Sequence, residues 1–96
     1  MKAYETIFVL TPDSEEERIQ ECIARVSEII TSGGGEVTEV NEWGKRRLAY
    51  EVAKKYNEGY YVLITFTGNA AILQELTRVY GITEDIFRHI VVEKVS

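Results

Sequence analysis

The 96-residue chain is large enough for one hydrophobic core without disulfide or metal staples and too small for two, so we expect a single domain over residues 1–96. Its apolar fraction of 45% and charged fraction of 28% are ordinary for a soluble globular protein, and no apolar run approaches the roughly 20 residues of a membrane span. Its formal net charge of −5 argues against a protein that coats nucleic acid without specificity.

The N-terminal residues and the cysteine content are those expected of a cytosolic protein. Residues 1–10 contain one lysine and an alternating strand pattern, with neither the apolar core nor the cleavage site of a signal peptide. The one cysteine, Cys22, cannot form an internal disulfide. It falls in an apolar helical stripe, which favours a buried small hydrophobe over a reactive thiol.

The first third of the chain predicts a strand followed by a helix. Tyr4–Leu10 alternates and is rich in aromatic and β-branched residues, and Pro12 ends it. Two alternative capping boxes precede the helix, Asp13 with Glu16 and Ser14 with Glu17. Its apolar stripe is formed by Ile19, Ile23, Val26 and Ile30. The glycines at 33–35 follow the helix instead of opening one, so helix termination is favoured over phosphate binding.

The middle of the chain predicts a long hairpin. Residues 36 to about 54 alternate as a strand that is interrupted at Gly44. A polar turn over Lys55–Gly59 then leads into a second strand over Tyr60–Thr67.

The last third predicts a helix and a strand, and the element order defines the fold. Asn69 is the expected N-cap of the helix, Gly81 its end, and Ile86–Val95 the strand. The buried stripe of this helix is Ile72, Leu73, Leu76, Val79 and Tyr80. The order βαββαβ predicts an α+β, ferredoxin-like split β-α-β sandwich, a four-stranded antiparallel sheet with two helices on one face. The strands that start at Tyr4 and Tyr60 should be central, and the other two should be edges.

One cationic region stands out in this acidic chain. Residues 45–55 carry a net charge of +4, so the remainder carries −9. Within this region, Lys45, Arg46 and Arg47 follow Trp43-Gly44 and precede Leu48-Ala49-Tyr50. Adjacent cations on a strand edge repel one another and add little to folding, so they indicate a partner surface. The alternative is that they are gatekeepers against edge-to-edge aggregation, and both interpretations can hold together.

The face of the sheet opposite the helices is expected to be partly apolar. In the first strand Ile7 and Val9 alternate with the core residues, and in the third strand Tyr61 and Leu63 do so. These four side chains form either an exposed apolar patch, which would mark an interface, or a group that long neighbouring side chains shield.

Four segments together resemble one known family. They are Tyr4-Glu5, the run from Trp43 to Tyr50 with sequence WGKRRLAY, Glu58-Gly59-Tyr60-Tyr61, and Arg88-His89-Ile90-Val91-Val92. In this order and spacing they resemble the bacterial small-subunit ribosomal protein number six family, over essentially the whole chain. That family has the ferredoxin-like fold predicted above.

The resemblance implies a structural protein of the small ribosomal subunit in the cytoplasm, with no catalysis. It implies a heterodimer with ribosomal protein number eighteen that binds the central domain of 16S ribosomal RNA. The second-strand edge contributes to the partner contact in that family, and this implies an interface here at Asn41, Glu42, Trp43, Lys45, Arg46, Arg47 and Tyr50. A C-terminal tail found in some members is not present in these 96 residues, so its role is not carried over.

Ribosomal RNA contacts require cations outside the acidic first helix. The candidates are Lys2, Lys54, Arg88 and Lys94. A solvated turn is the alternative role for Lys54, and a solvated strand end is the alternative for Lys94. Arg88 lies in an apolar strand and must reach the open face, the rim or a carboxylate.

Two other classes of function fit less well. A direct single-strand RNA reader like an RNA-recognition motif has the same element order, but Glu58 has the wrong sign and Tyr60 and Phe66 fall on the core side, which leaves Tyr61 as the one stacking platform. An enzyme would need more than His89, which lacks a neighbouring nucleophile or metal-ligand spacing. A ligand-binding regulatory domain would need a polar pocket that the sequence does not indicate. We expect no cofactor, membrane partner or small-molecule substrate.

Overall fold

The computed structural model describes residues 1–52 and 56–94, and side chains over 1–47 and 57–94. Its elements are the strands and helices β1 (Lys2–Leu10), α1 (Glu16–Ser32), β2 (Glu36–Val52), β3 (Tyr56–Gly68), α2 (Ala70–Ile82) and β4 (Ile86–Glu93). The strands form one antiparallel sheet in the order β2-β3-β1-β4. The predicted ferredoxin-like α+β fold, with β1 and β3 central and β2 and β4 at the edges, is confirmed.

The core lies between the two helices and one face of the central strands. Cross-strand partners in β1 and β3 contribute side chains to it, such as Tyr4 opposite Phe66 and Phe8 opposite Val62. The stripes of both helices pack against this face, and its most buried members include Phe8, Leu10, Ile30, Ile64, Phe66 and Leu76. Because both stripes contribute to one core, the opposite face of the sheet has no helix over it. The face over which the helices pack is called the helix side below, and the opposite one the open face.

One polar residue is buried in the middle of this core. Thr6 is fully buried, and its hydroxyl lies 2.8 Å from the Tyr80 hydroxyl and donates to the Ile90 carbonyl at 3.1 Å. Burial raises the pKa of Tyr80, so its hydroxyl stays neutral and remains a hydrogen-bond donor. The bond joins α2 to β1 in a place where an unpaired hydroxyl would be costly.

The predicted capping boxes of α1 are wrong. The helix begins at Glu16 with Glu15 as N-cap, and no side chain caps its first turn. The Ser14 hydroxyl instead lies 2.9 Å from the Thr11 hydroxyl, and the Ser14 N–H donates to the Thr11 carbonyl. Because the Ser14 side chain contacts Thr11 in this turn, it does not cap the helix. The predicted N-cap of α2 is confirmed, since the side-chain Oδ1 of Asn69 accepts from the Ile72 N–H at 3.1 Å.

Three other predicted boundaries shift. β1 starts at Lys2, and β3 starts at Tyr56 instead of Tyr60. The predicted polar turn was too long because polar residues keep pairing with β2, with Glu58 opposite Arg47. Helix α2 continues past Gly81 to Ile82, after which the Thr83 hydroxyl donates to the Val79 carbonyl at 2.6 Å. The predicted ends of β2 near Lys54 and of β4 at Val95 lie outside the described residues.

Two glycine substitutions should have opposite effects on stability. A Cβ on the buried Gly59 would overlap Val9 Cγ1 and lie 3.1 Å from the Leu10 carbonyl oxygen, so Gly59→Ala should destabilise the fold by about 1–3 kcal/mol. A Cβ on Gly81, in an exposed position of α2, meets nothing within 4 Å, so Gly81→Ala should stabilise it by about 0.5–1 kcal/mol. Urea unfolding of both variants checks this. Equal stabilities would contradict the close packing of β3 on β1.

Candidate interaction surface

The β2 edge is an exposed part of the sheet that carries both charge and aromatic surface. Within the described residues β2 pairs with β3 alone, so its other edge is unpaired. Six of the predicted partner-interface residues are exposed here: Asn41, Glu42, Trp43, Lys45, Arg46 and Arg47. The side chain of the seventh, Tyr50, and the whole of Lys54 lie outside the described part of the chain.

A β-bulge at Trp43 and Gly44 shapes this edge. Glu42 lies opposite Val62 and Gly44 opposite Tyr61, so Trp43 is the extra residue. Gly44 has a φ of +81°, a conformation that side chains with a Cβ rarely adopt. The sequence predicted an interruption at Gly44, and the structure confirms it as this bulge.

The bulge carries an aromatic and cationic stack on the open face. The rings of Trp43 and Tyr61 are stacked, with centroids 6.2 Å apart and planes 16° apart. The Arg46 guanidinium carbon lies 5.3 Å from the Trp43 ring centroid, within the range of a cation–π contact. Trp43 keeps 36% of its surface exposed. This surface, defined by Trp43, Tyr61 and Arg46, is called the aromatic stack below.

The three adjacent cations do not share one face. Arg46 lies opposite Gly59 and belongs to the open face with the aromatic stack. Lys45 lies opposite Tyr60 and therefore belongs to the helix side of the edge, as does Arg47 opposite Glu58. The edge thus presents one guanidinium to the open face and two cations to the other side.

Glu42 is already engaged within the protein. Its Oε1 accepts hydrogen bonds from the Tyr60 hydroxyl at 2.9 Å and from the Gln20 amide at 3.1 Å, which ties β2 to β3 and to α1. Burial and, second, the hydrogen bond to Glu42 raise the pKa of Tyr60 to about 12. Glu42 therefore fixes the edge on its helix side.

The open face is apolar only in part where the sequence predicted it. Val9 is only 2% exposed, and Ile7, Tyr61 and Leu63 are partly buried. Val9 is therefore shielded from solvent, whereas Ile7, Tyr61 and Leu63 stay partly exposed. The larger apolar exposure comes from Ile90 at 52% and Val92 at 44%, which face the same side from β4. The alternation of these two residues along β4 was the signal in the sequence that could have found them.

The structure separates the candidate RNA-binding cations. Lys2 is exposed and forms an ion pair with Glu93 at 3.6 Å. Lys94 is also exposed. Its backbone N–H donates to the Ala3 carbonyl at 2.8 Å, so it lies at the same end of the sheet as Lys2. Arg88 lies opposite Val9 near the other end of β4, on the open face. The open face was one of the three positions expected for it. Lys2 and Lys94 therefore lie at the same end of the sheet but belong to opposite faces, and Arg88 is apart from them.

Neither Cys22 nor His89 has the surroundings of a catalytic group. Cys22 is 5% exposed, and burial raises the pKa of its thiol, so the predicted structural role is confirmed. His89 is exposed and its ring stacks on Tyr80 with centroids 4.9 Å apart, which is a rim position. Among the side chains described for residues 1–47 and 57–94, no three acidic, histidine or cysteine groups are placed as metal ligands. No helix in the described part of the chain is long and apolar enough to cross a membrane.

A sheet covered on one face, with a cationic edge that is unpaired among the described residues and an exposed aromatic stack, defines a small α+β protein of the ferredoxin-like class. Comparison with known proteins gives the family. The family model for Ribosomal protein S6 matches residues 3–93, and the chain belongs to this family. Membership supports a structural role in the small ribosomal subunit, and thus a location in the cytoplasm, within the ribosome.

Individual relatives agree over nearly their whole length. The chain is 51% identical over 94 residues to small ribosomal subunit protein bS6 of Clostridium perfringens, covering 98% of both chains. It is 47% identical over 91 residues to the bS6 protein of Moorella thermoacetica, covering 95% of this chain and 92% of that one. The crystal structure of 30S ribosomal protein S6 from Thermotoga maritima superposes with a TM-score of 0.89 at 35% identity, covering 97% of this chain and 87% of that one.

Tyr60 should titrate at about pH 12, above the value of about 10 for tyrosine in an unfolded chain. Because the folded pKa is the higher one, the stability that the neutral hydroxyl contributes is fully present below about pH 10 and is lost as pH rises through about 12. The difference in phenolate absorbance between the native protein and Tyr60→Phe, followed through an alkaline titration, checks this.

Glu42→Gln is the matched control for this titration. It should lower the pKa of Tyr60 but leave it above the ordinary value, because burial is the larger cause. A Tyr60 step that does not move in Glu42→Gln would contradict the contact between the two side chains.

Proposed function

We propose that this protein acts in the small ribosomal subunit as one half of a heterodimer with ribosomal protein S18, and that the two together bind the central domain of 16S ribosomal RNA. The observation that carries the proposal is the β2 edge, where the unpaired side of an edge strand, the aromatic stack and three cations occur together in the described part of the chain. The partner would contact Asn41, Glu42, Trp43, Lys45, Arg46, Arg47 and Tyr50.

The charge distribution supports assembly before RNA binding. RNA affinity is driven mainly by cations that replace counterions on phosphates. The chain has a net charge of −5, and its positive charge is concentrated in residues 45–55. If the partner covers part of that region, this protein has few cations left that can contact RNA. A partner that brings its own cations is then needed for tight binding.

The exposed state of the edge also supports a protein partner. Trp43 and Val40 remain 36% and 42% exposed on an edge strand, which is a hazard for aggregation unless something covers it. Charged groups protect such an edge in the free protein, and they can become pairing groups when the partner binds. The gatekeeper and partner interpretations of Lys45, Arg46 and Arg47 therefore describe two states of one surface.

RNA contacts would come from cations away from that edge. Lys2 and Lys94 are exposed at one end of the sheet, Lys2 in an ion pair with Glu93, and Arg88 adds a guanidinium on the open face. Cations of this kind contact phosphates and position the protein without reading the base sequence. Lys54 is proposed with them on sequence grounds.

The side-chain positions count against a direct single-strand RNA reader. Phe66 is fully buried, and Tyr60 bonds Glu42 on the helix side, so neither can stack on a base from the open face. Tyr61 is already covered in part by Trp43. Of Tyr60, Tyr61 and Phe66, only Tyr61 is thus left on the open face, and it is stacked against Trp43.

Replacing both Arg46 and Arg47 by Ala should weaken binding to S18 by about tenfold or more, equivalent to about 1.4 kcal/mol, and leave the fold intact. Both side chains are exposed, so their loss costs the free protein little. Isothermal titration calorimetry against S18 measures the affinity, with circular dichroism for the fold.

Arg25→Ala with Arg78→Ala is the matched control. It also removes two positive charges, in this case from exposed positions of α1 and α2. This variant should keep the native affinity. Equal weakening by both variants would show a general charge effect, and no weakening by the first would remove the two β2 arginines from the interface.

RNA binding should require both proteins and should depend on salt. In a gel-shift titration of a central-domain 16S fragment at two salt concentrations, tight binding is expected only with S18 present. Lys2→Ala with Lys94→Ala should reduce the salt slope by about 1 for each phosphate that the protein no longer neutralises. The Arg25→Ala, Arg78→Ala protein again serves as control. Tight binding by the protein alone would favour a direct RNA reader.

A further inference from the structure

The bulge at Gly44 decides which cation stands beside Trp43. With the bulge, Gly44 lies opposite Tyr61 and Arg46 opposite Gly59, so Arg46 is on the open face. Without it, the pairing of Glu42 with Val62 would continue one residue at a time. Trp43 would then lie opposite Tyr61, and Lys45 would lie opposite Gly59.

Trp43 would face the same side in both registers, but the cations would not. A one-residue shift exchanges the two faces of a strand. Lys45 and Arg47 would come to the open face, and Arg46 would go to the helix side. The bulge therefore selects a guanidinium, and rejects an ammonium, as the partner of the Trp43 ring.

This choice matters chemically. A guanidinium can lie flat on an indole ring and still direct its N–H donors outward in its own plane. An ammonium is a compact, strongly hydrated charge that offers neither the flat contact nor paired donors. Arg46 beside Trp43 thus combines an aromatic surface with N–H donors suited to a carboxylate or a carbonyl oxygen.

Gly44 is the residue on which the bulge depends. Its φ of +81° is the reason for glycine at this position, because a Cβ added there would meet no atom within 4 Å. Substitution by Ala would therefore act through the backbone conformation alone. A slip of one residue can also be absorbed beyond the cations, since the β2–β3 register shifts again between Arg47 and Val52.

We infer that Gly44 is a positioning residue that sets the register of the cationic run, so that Arg46 and no other cation joins the aromatic stack and meets an oxygen acceptor of the partner protein. The partner half of this inference rests on the proposed function. The register half concerns the free protein and is measured separately.

The first test exchanges the two cations without changing composition or charge. The variant Lys45→Arg with Arg46→Lys keeps Gly44 and the bulge, and it puts an ammonium beside Trp43. Affinity for S18 should fall about tenfold in calorimetric titration. Unchanged affinity, while Arg46→Ala alone weakens binding, would overturn the inference, because any cation would then serve.

The second test releases the bulge. In Gly44→Ala, nuclear Overhauser contacts to the Trp43 ring should move from Arg46 to Lys45, and S18 affinity should fall as in the exchange variant. Adding the exchange to Gly44→Ala should restore the affinity, because the slipped register returns an arginine to Trp43. Retention of the Arg46 contact in Gly44→Ala, or no restoration on combination, would overturn the inference.

Gly34→Ala is the matched control for backbone strain. Gly34 also has a positive φ, of +90°, and a Cβ there would make only an ordinary contact with Met1 at 3.4 Å. It should lose stability without changing the contacts of Trp43 or the affinity. If Gly44→Ala does not fold, the exchange variant still decides between the two cations. If Arg46→Ala does not affect S18 binding, the proposed interface is wrong. The nuclear Overhauser contacts of the Trp43 ring in Gly44→Ala then still test whether Gly44 sets the register.

Discussion

Both helices pack on the same face of the four-stranded sheet, and the register of β1 with β3 brings the apolar side chains of the two central strands together on that face. Phe8, Val62 and Phe66 face the helices from these central strands, and the buried Thr6–Tyr80 hydrogen bond holds α2 onto β1. A shift of one residue in either strand would turn this apolar set towards water. The uncovered face and the two outer edges are direct consequences of this packing.

The two edges solve the problem of exposure differently. The β4 edge is short and carries exposed Ile90 and Val92 on its open face. The β2 edge is seventeen residues long, and it is interrupted by bulges and carries cations on both sides. Irregular geometry and charge both discourage random strand pairing. The same features give a specific partner a shape and a charge pattern to recognise, so protection and recognition do not compete.

The sequence was sufficient for the order, type and position of the strands in the sheet, because alternation and helical spacing are strong in this chain. It was insufficient where a choice depended on atoms far away. The Ser14 hydroxyl had two possible partners, and the local turn to Thr11 won over a helix cap. Alternation puts Val9 on the open face, yet its side chain is buried. Alternation also does not predict which face a residue takes after a bulge. The assignment of Lys45 to the helix side and of Arg46 to the open face therefore needed the β2–β3 register of the structure.

Trp43 is the one tryptophan in the chain, and it lies at the surface instead of in the core. Its emission in the native protein should already be that of a partly hydrated indole. Unfolding would hydrate the rest of the ring and shift the emission to the red, whereas a protein that covers the β2 edge would shift it to the blue. The direction of the shift in intrinsic fluorescence therefore distinguishes assembly from unfolding in this molecule.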